Sequence, residues 1–492
     1  MMRDTSRGSG KKTSAGNKSV KANSPVNRGV QPKPKRQLTS REVALATLTK
    51  VAESGAYSNL QLNRALLDAE LSRPDAALAT ELVYGTIQRQ RTLDEVLKQL
   101  VTKGWDKLAP WVLQLLRLSA YQVLYLDRIP AHAAVNEAVT IAKRRGHTGI
   151  SGMVNGVLRN LLRRLDELKQ QALGSGTKSP PARIGIRHSY PDWLVQRWID
   201  TYGEQAAEAI CEAGNEPPHA SIRINTTRTS RVAVVEQLRT HGLEASPSAL
   251  APAGVVVSGG GNLALTDGYS TGLWTMQDES SMLVAEVCAP KPGDRVLDCC
   301  AAPGGKTTHL AELMQDKGLL IANDVHDHKR QLVSDQAKRL GLDAIEPVTG
   351  DAAKLTERYE SGSFDVVLLD APCSGLGVIR RKPEIKWTKS QGDIAEIAAI
   401  QKRLLREAAA LVKPGGTLVY STCTIAREEN ENQIAGFLSE HPEYALDPEW
   451  PQPVLSILRS AELVSDSFSG EFQLLPQHFG SDGFYIAKLR RK

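Results

Sequence analysis

Residues 298–307 read Asp298-Cys299-Cys300-Ala301-Ala302-Pro303-Gly304-Gly305-Lys306-Thr307, preceded by Arg295-Val296-Leu297 and followed by an amphipathic segment from Thr308 to Met314. The pattern predicts a strand, a glycine-rich turn and the first turn of a helix. Gly304 and Gly305 let backbone pass close to a ligand, and the helix N-terminus behind them offers unpaired N–H groups to carboxylate or hydroxyl oxygens. Spacing excludes two better-known loops. A Walker phosphate loop needs glycine five residues before Gly305, where Cys300 stands, and no G-x-G-x-x-G occurs.

The pattern continues downstream. Strands are predicted at Arg295–Asp298, Leu319–Asn323, Ala344–Val348, Phe364–Leu369 and Thr417–Tyr420, with helical segments between them. Such alternation specifies a doubly wound, Rossmann-like α/β fold whose ligands lie beyond the carboxyl ends of a largely parallel sheet. The polar residues fall at those ends: Cys300 to Lys306, Asp324, Gly350-Asp351, Asp370-Ala371-Pro372-Cys373-Ser374-Gly375 and Ser421-Thr422-Cys423. An acidic residue ending the second strand, Asp324, suits ribose hydroxyls, and Asp351 suits an adenine amino group. Taken singly, each carboxylate has an equally good reading as a helix cap or a solvated group. Cys373 and Cys423 follow the fourth and fifth strands, where Lys306 or Arg380 would favour a nucleophilic thiolate; buried packing is the alternative for either alone.

Working outward, 492 residues exceed a single core. Residues 1–36 carry ten Lys/Arg against Asp4, a net of +9 within a whole-chain +6, which leaves about −3 for the rest. This segment, 1–37, is expected to be a disordered basic tail: a salt-sensitive arm for nucleic acid, or a solubilising extension. Residues 38–170 show helical periodicity throughout and predict an all-α bundle, with cations gathered at Lys143, Arg144, Arg145, His147, Arg159, Arg163 and Arg164. A Gly/Ser/Pro-rich linker over 171–184 leads to a small α+β, RRM-like module at 185–275, and the α/β domain fills 276–492. No apolar run reaches 18 residues and no signal-peptide pattern opens the chain, so a soluble, cytoplasmic protein is expected. Six cysteines without zinc spacing argue reduced thiols and no metal.

Two resemblances sharpen this. Tyr57-Ser58-Asn59, Thr80 to Thr86 and Ala134-Val135-Asn136-Glu137-Ala138-Val139 resemble the NusB-like helical domain, which in antitermination relatives binds RNA. Asp298-x-Cys300 to Thr307, Asp370-Ala371-Pro372-Cys373-Ser374-Gly375 and Ser421-Thr422-Cys423 resemble motifs I, IV and VI of the Sun-type RNA cytosine-C5 methyltransferases. In the branch carrying a NusB-like domain, the resemblance implies S-adenosyl-L-methionine as cofactor and 16S (small-subunit) ribosomal RNA, or an early assembly intermediate, as partner.

The resemblance implies roles for individual residues. Cys423 would be the nucleophile that adds to cytosine C6, and Cys373 would assist product release. Asp370 would contact the N3/N4 edge of the base and the cofactor, with Lys306 orienting both. The cofactor wall would comprise Cys300, Ala301, Ala302, Pro303, Gly304, Gly305, Lys306, Asp324, Asp351 and Asp370. Relatives often place arginine where Lys329 stands. The segment Val378 to Trp387 reads as an RNA loop, with Arg380, Arg381, Lys382 and Lys386 for phosphates and Trp387 for a base, or else as an exposed connector. A monomer suffices. The competing readings are a non-catalytic RNA-binding assembly factor and a DNA cytosine methyltransferase.

Overall fold

The computed structural model describes residues 37–492, apart from Lys103, Ser175, Lys178, Gly260 and Gly261. The basic tail expected over 1–37 therefore lies almost wholly outside the described residues. The chain begins with a helical bundle: Ser40–Ser54, Ser58–Ala69, Arg73–Gln88, Gln90–Leu100, Pro110–Tyr125, Ala131–Arg145, Thr148–Arg163 and Leu165–Ala172. Thr39 and Glu42 close a reciprocal capping box on the first helix. Pro110–Tyr125 is apolar nearly all round, and Val112, Leu115, Leu116 and Leu118 are all buried. It is the central helix against which Leu45, Leu82, Leu97, Ile141 and Leu158 pack, each fully buried side chain contributing about 1.5–3 kcal/mol.

The linker expected over 171–184 is only half a linker. Pro180–His188 is a helix that opens on proline, whose fixed φ and missing N–H suit the first helical turn. Its Ile184 shares a core with Tyr190, with Leu194 and Trp198 of the next helix, Asp192–Tyr202, and with Leu376, Ile379, Ile385 and Ile425 of the C-terminal region. The helical part of the 185–275 module thus packs on the α/β domain. Its sheet part has a core of its own: strands β1 (Ala220–Ile224), β2 (Glu244–Pro247), β3 (Gly254–Ser258) and β4 (Trp274–Met276), in antiparallel order β2-β3-β1-β4, covered by helix Arg231–Thr240. Pairing of Met276 with Ile222 carries this sheet one residue past the expected boundary at 275.

The α/β domain is built on β5 (Arg295–Asp298), β6 (Leu319–Asp324), β7 (Ile345–Thr349), β8 (Phe364–Asp370), β9 (Val412–Thr422), β10 (Tyr444–Leu446), β11 (Glu471–Leu474) and β12 (Phe484–Arg491). Strand order is β10-β12-β9-β8-β5-β6-β7, with β11 also on β12. β5 to β9 are parallel and β12 runs antiparallel beside β9. Val296, Leu297, Val367, Leu368, Leu418 and Val419 are buried because helices cover both faces. The chain order reverses between β5 and β8, so the loops after these two strands diverge and open a crevice there. Among the described residues no helix is long and apolar enough to cross a membrane.

Candidate active site

The crevice is a cleft of ≈ 450 Å³ lined from three directions: Asp298, Cys300 to Pro303, Gly305 and Lys306 after β5; Asp370, Val378, Arg381, Lys382 and Cys423 after β8 and β9; and Ala220, Ser221, Met276 and Gln277 from the small module. Asp482 and Phe484 complete it.

The loop after β5 is shaped by its own backbone. Gly304 has φ +105°, outside the range of residues with a Cβ, and a Cβ there would also meet Val333 at 3.3 Å. The helix Gly305–Leu313 follows at once. Asp298 underpins the turn, accepting from Thr307 Oγ1 at 2.7 Å and from the Cys300 N–H at 3.3 Å. Burial pushes the Asp298 carboxyl up to about 7, against the Thr307 hydrogen bond. Asn323 ties the ends of β5 and β7 together by donating to the carbonyls of Cys299 and Gly350, both at 3.0 Å.

Asp324 ends β6, accepts from the Ala302 N–H (3.3 Å) and the His326 N–H (3.2 Å), and has Lys329 at 3.8 Å. Asp351, past β7, caps the short turn after it by accepting from Ala353 N–H at 2.9 Å, and is exposed. Neither lines the cleft with the cysteines; they sit along the adjoining sheet edge, where Gly350 N–H donates to Asp324 O at 3.0 Å.

Register brings the two cysteines together. Asp370 of β8 is paired with Ser421 of β9, so the loops leaving both strands start side by side. Cys373 Sγ and Cys423 Sγ lie 3.3 Å apart. Asp370 accepts from Ser421 Oγ at 2.9 Å and holds Lys306 Nζ at 2.8 Å, while Phe484 lies 4.9 Å beneath the same ammonium. Burial opposes the Lys306 charge, but the Asp370 carboxylate lifts its pKa above the usual lysine range. The Cys373 thiol donates to Cys423 and, with the Lys306 and Lys382 cations, holds Cys423 below the ordinary thiol range despite burial; the same hydrogen bond and burial drive Cys373 up. Cys299 is buried and burial raises its pKa; Cys300, half-buried, is raised by burial too.

Several contributors were not apparent in the sequence. Glu429, fully buried, accepts from the Ser374 N–H (2.8 Å) and from the Ser374 hydroxyl, and takes Gln401 Nε2 at 3.1 Å and Thr424 Oγ1 at 3.3 Å. It clamps the residue after each cysteine. The only sequence hint is its position six residues after Cys423. Arg223, 0 % exposed on β1, forks onto Glu312 at 2.8 and 2.9 Å and donates to Gly305 O at 2.6 Å. It fastens the small module to the glycine turn.

The expected RNA loop is largely corrected. Lys386 is 1 % exposed and donates to Gln88 O (3.2 Å), Ser189 O (3.3 Å) and Asn215 Oδ1 (2.7 Å), over the Tyr190 ring. Burial drives its pKa well down. Trp387 donates its indole N–H to Ile87 O at 2.9 Å and packs on the N-terminal core. Arg380 is buried on the carbonyls of Gly480 and Pro476. Lys386 and Trp387 are latches to the preceding domains, and Arg380 ties two loops of the α/β domain together. Arg381 and Lys382 do line the cleft.

Comparison with known proteins accounts for all three parts. The NusB family matches residues 38–163, a ferredoxin-like domain of RsmF/B-type methyltransferases matches 190–264, and the family described as 16S rRNA methyltransferase RsmB/F matches 285–490. A protein of Bacillus subtilis named "Probable ribosomal RNA small subunit methyltransferase B" is 44% identical over 461 residues, 93% of this chain and 100% of its own. Ribosomal RNA small subunit methyltransferase B of Sodalis glossinidius is 35% identical, across 91% of this chain and 97% of its own. Among solved structures, PH0851 superposes with TM-score 0.75 at 28% identity, covering 93% of this chain and 100% of that one. Identity at this level along nearly the full length, with each domain matched in order, means that the chain belongs to the RsmB branch of the RsmB/F family of 16S rRNA methyltransferases.

Proposed function

We propose that the chain transfers a methyl group from S-adenosyl-L-methionine to C5 of a specific cytosine in small-subunit ribosomal RNA through a covalent Cys423–C6 adduct. The observation that carries this is the 3.3 Å pair of Cys373 and Cys423 beside the Lys306–Asp370 ion pair, because Cys423, Asp370 and Lys306 line one cleft and the second thiol rests against the first. The relatives named as ribosomal RNA small subunit methyltransferases support the substrate class. Exposed Lys143, Arg159 and Arg163 on the N-terminal bundle support phosphate contact. In this reading residues 38–170 engage RNA, 185–275 flank the cleft and 276–492 carry the chemistry.

The residues fit the cofactor. Cys300 to Pro303 and Gly305 line the cleft, the turn at Gly304 packs so closely on Val333 that a side chain would push it out of place, and Asp324 and Asp351 keep acceptor capacity beyond the bonds they already accept. When bound, S-adenosylmethionine supplies the electrophilic methyl group that cytosine C5 takes up. Everything else falls to the chain. An unstacked cytosine enters the cleft. The Cys423 thiolate adds to C6, placing electron density on C5. Asp370, held by Lys306 and Ser421, faces the N3/N4 edge and favours cytosine over uracil through its hydrogen bonds. The C5 proton passes to water, its electron pair restores the C5=C6 bond, and the C6–S bond breaks as the Cys373 thiol donates a hydrogen bond to the departing Cys423 thiolate. Incubation with labelled cofactor and unmethylated ribosomal RNA tests this: 5-methylcytosine is expected, and full activity in Cys423→Ala sinks the assignment.

A further inference from the structure

The cleft is also lined by Asp278, Arg381, Lys382 and Asp482, which none of these steps employs. Arg381 bridges the two carboxylates, Nη2 to Asp278 Oδ2 and Nε to Asp482 Oδ2, each at 2.7 Å. Asp278 is otherwise satisfied, accepting on Oδ1 from the Ser280 N–H at 2.9 Å and from Ser481 Oγ at 3.0 Å. Asp482 is not. It is 3 % exposed, yet its Oδ1 accepts no hydrogen bond. A buried carboxylate oxygen on a residue that lines a cleft is costly without a donor unless a ligand, on entering, supplies one.

Two cations stand with this acceptor. The Arg381 side chain is 34 % exposed, so N–H groups beyond those on the two carboxylates reach the cleft. Lys382 forms no ion pair among the described residues; its ammonium lies 5.4 Å over the Tyr57 ring, and its charge bears on Cys423. The ligand must therefore present a hydrogen-bond donor next to an anion. On a cytidine unit within a nucleic acid, the N4 amine already belongs to Asp370 in the proposed function. The remaining donor is the ribose 2′-hydroxyl, whose neighbour is the 3′-phosphate, and only RNA carries the two together.

We propose that Asp482, Arg381 and Lys382 form a ribose–phosphate subsite, in which Asp482 Oδ1 accepts the 2′-hydroxyl of the target nucleotide and the two cations bind its 3′-phosphate, selecting RNA over DNA. The subsite rests on the cytidine reading of the cleft. It assigns the RNA preference of this centre to the wall beside the small module and leaves the cysteines indifferent to the sugar.

The test compares kcat/KM on synthetic RNA whose target cytidine, once mapped by bisulfite sequencing, is ribo, 2′-deoxy or 2′-fluoro. Burial raises the Asp482 carboxyl to about 7, so the assay is run about one pH unit above this, where the 2′-deoxy and 2′-fluoro substrates are expected to fall by about tenfold to a hundredfold in the wild type, the range of a hydrogen bond to a charged acceptor. In Asp482→Ala that discrimination is expected to shrink to within about threefold. Asp482→Asn, which keeps the shape of the side chain beside Arg381, is carried alongside in case alanine unfolds the wall. Wild-type tolerance of 2′-deoxycytidine, or unchanged discrimination in a folded variant, overturns the proposal. So does a calorimetric loss of cofactor affinity in either variant with the ribo/deoxy ratio intact, which would assign Asp482 to the cofactor's ammonium group. No methylation of the all-ribo RNA by the wild type would instead defeat the proposed function itself, and the subsite with it.

Discussion

Replacing Cys373 by alanine should separate the two thiols' roles in a single protein. At 3.3 Å the Cys373 thiol is the immediate hydrogen-bond donor to Cys423, and this contact leads the causes that hold Cys423 below its ordinary range. A hydrogen bond to a charged group contributes about 1.5–3 kcal/mol, and a thiol, as a weak donor, belongs at the lower end. With about 1.4 kcal/mol per pKa unit, Cys423 should rise by about one unit. Near neutral pH the thiolate fraction, and with it the rate of Cys423 alkylation by iodoacetamide, then falls about tenfold, read by mass spectrometry of the peptide across a pH series. Cys211, Cys288 and Cys299 are buried and should not interfere. The same variant keeps the nucleophile but loses the group that assists release, so a covalent protein–RNA species should accumulate on a denaturing gel during turnover. An unchanged alkylation profile refutes the hydrogen-bond account of Cys423, and the absence of any adduct refutes the release role of Cys373.

Arg223→Met strands Glu312 in a fully buried site, and breaking such a pair costs about 3–5 kcal/mol; denaturant melts should show that loss together with a raised KM for the cofactor, and restoration of stability in the Arg223→Met/Glu312→Leu double variant would identify the charge as its origin. Trp387→Phe removes the indole bond to Ile87 O and should lower stability by about 1 kcal/mol, while Lys386→Met should also destabilise; neither should alter the salt dependence of RNA binding, and a reduced slope in both would restore them to the RNA interface. Asp298 titrates at about 7 in the folded chain and at about 3.9 in an unfolded one. Between those values the folded state holds a proton that the unfolded state has released, so wild-type stability should fall as pH rises through this window, by up to about 1.4 kcal/mol per pH unit. Asp298→Asn should flatten that fall, and melting curves of equal slope in both proteins would contradict it.

The sheet and the residues gathered at its carboxyl edge could be read from the chain because each follows from a local rule. β5, β6, β8 and β9 are short apolar runs buried on both faces, and polar residues that follow such runs must emerge at one edge. Cys373 and Cys423 emerge there whatever the loops do. Arg380, Lys386 and Trp387 depart from the expected RNA loop for an equally physical reason. Cations and an aromatic ring satisfy backbone carbonyls as readily as phosphates and bases, and only the tertiary neighbours decide: for Lys386 they are Gln88, Ser189 and Asn215, up to 298 residues away. Pro180-Pro181 looks like a breaker, yet proline at the start of a helix is favourable, and Ile184 supplies an apolar contact that no linker would offer. Arg223 sits at an inward position of β1, where a charge finds a place only because Glu312 comes from another domain.

These long-range contacts bear on how the cleft keeps its shape. Each of two walls is fastened to a different neighbour: the glycine turn to the small module through Arg223 and Gly305 O, and the segment after Cys373 to the N-terminal bundle through Glu384, which accepts from Ser58 N–H (3.1 Å) and Ser58 Oγ (2.8 Å), and through Trp387. The two cysteine loops are joined to each other by Glu429. A nucleophile 3.3 Å from its hydrogen-bond donor tolerates little displacement, since misplacement by about 1 Å can cost a hundredfold in rate. The bundle and the module are thus part of the positioning of Cys373 and Cys423. Ser58→Ala, which leaves the buried Glu384 carboxylate short of one donor, should therefore lower kcat on a short oligonucleotide that never reaches the bundle. A kcat effect confined to full-length ribosomal RNA would show instead that the bundle acts through binding alone.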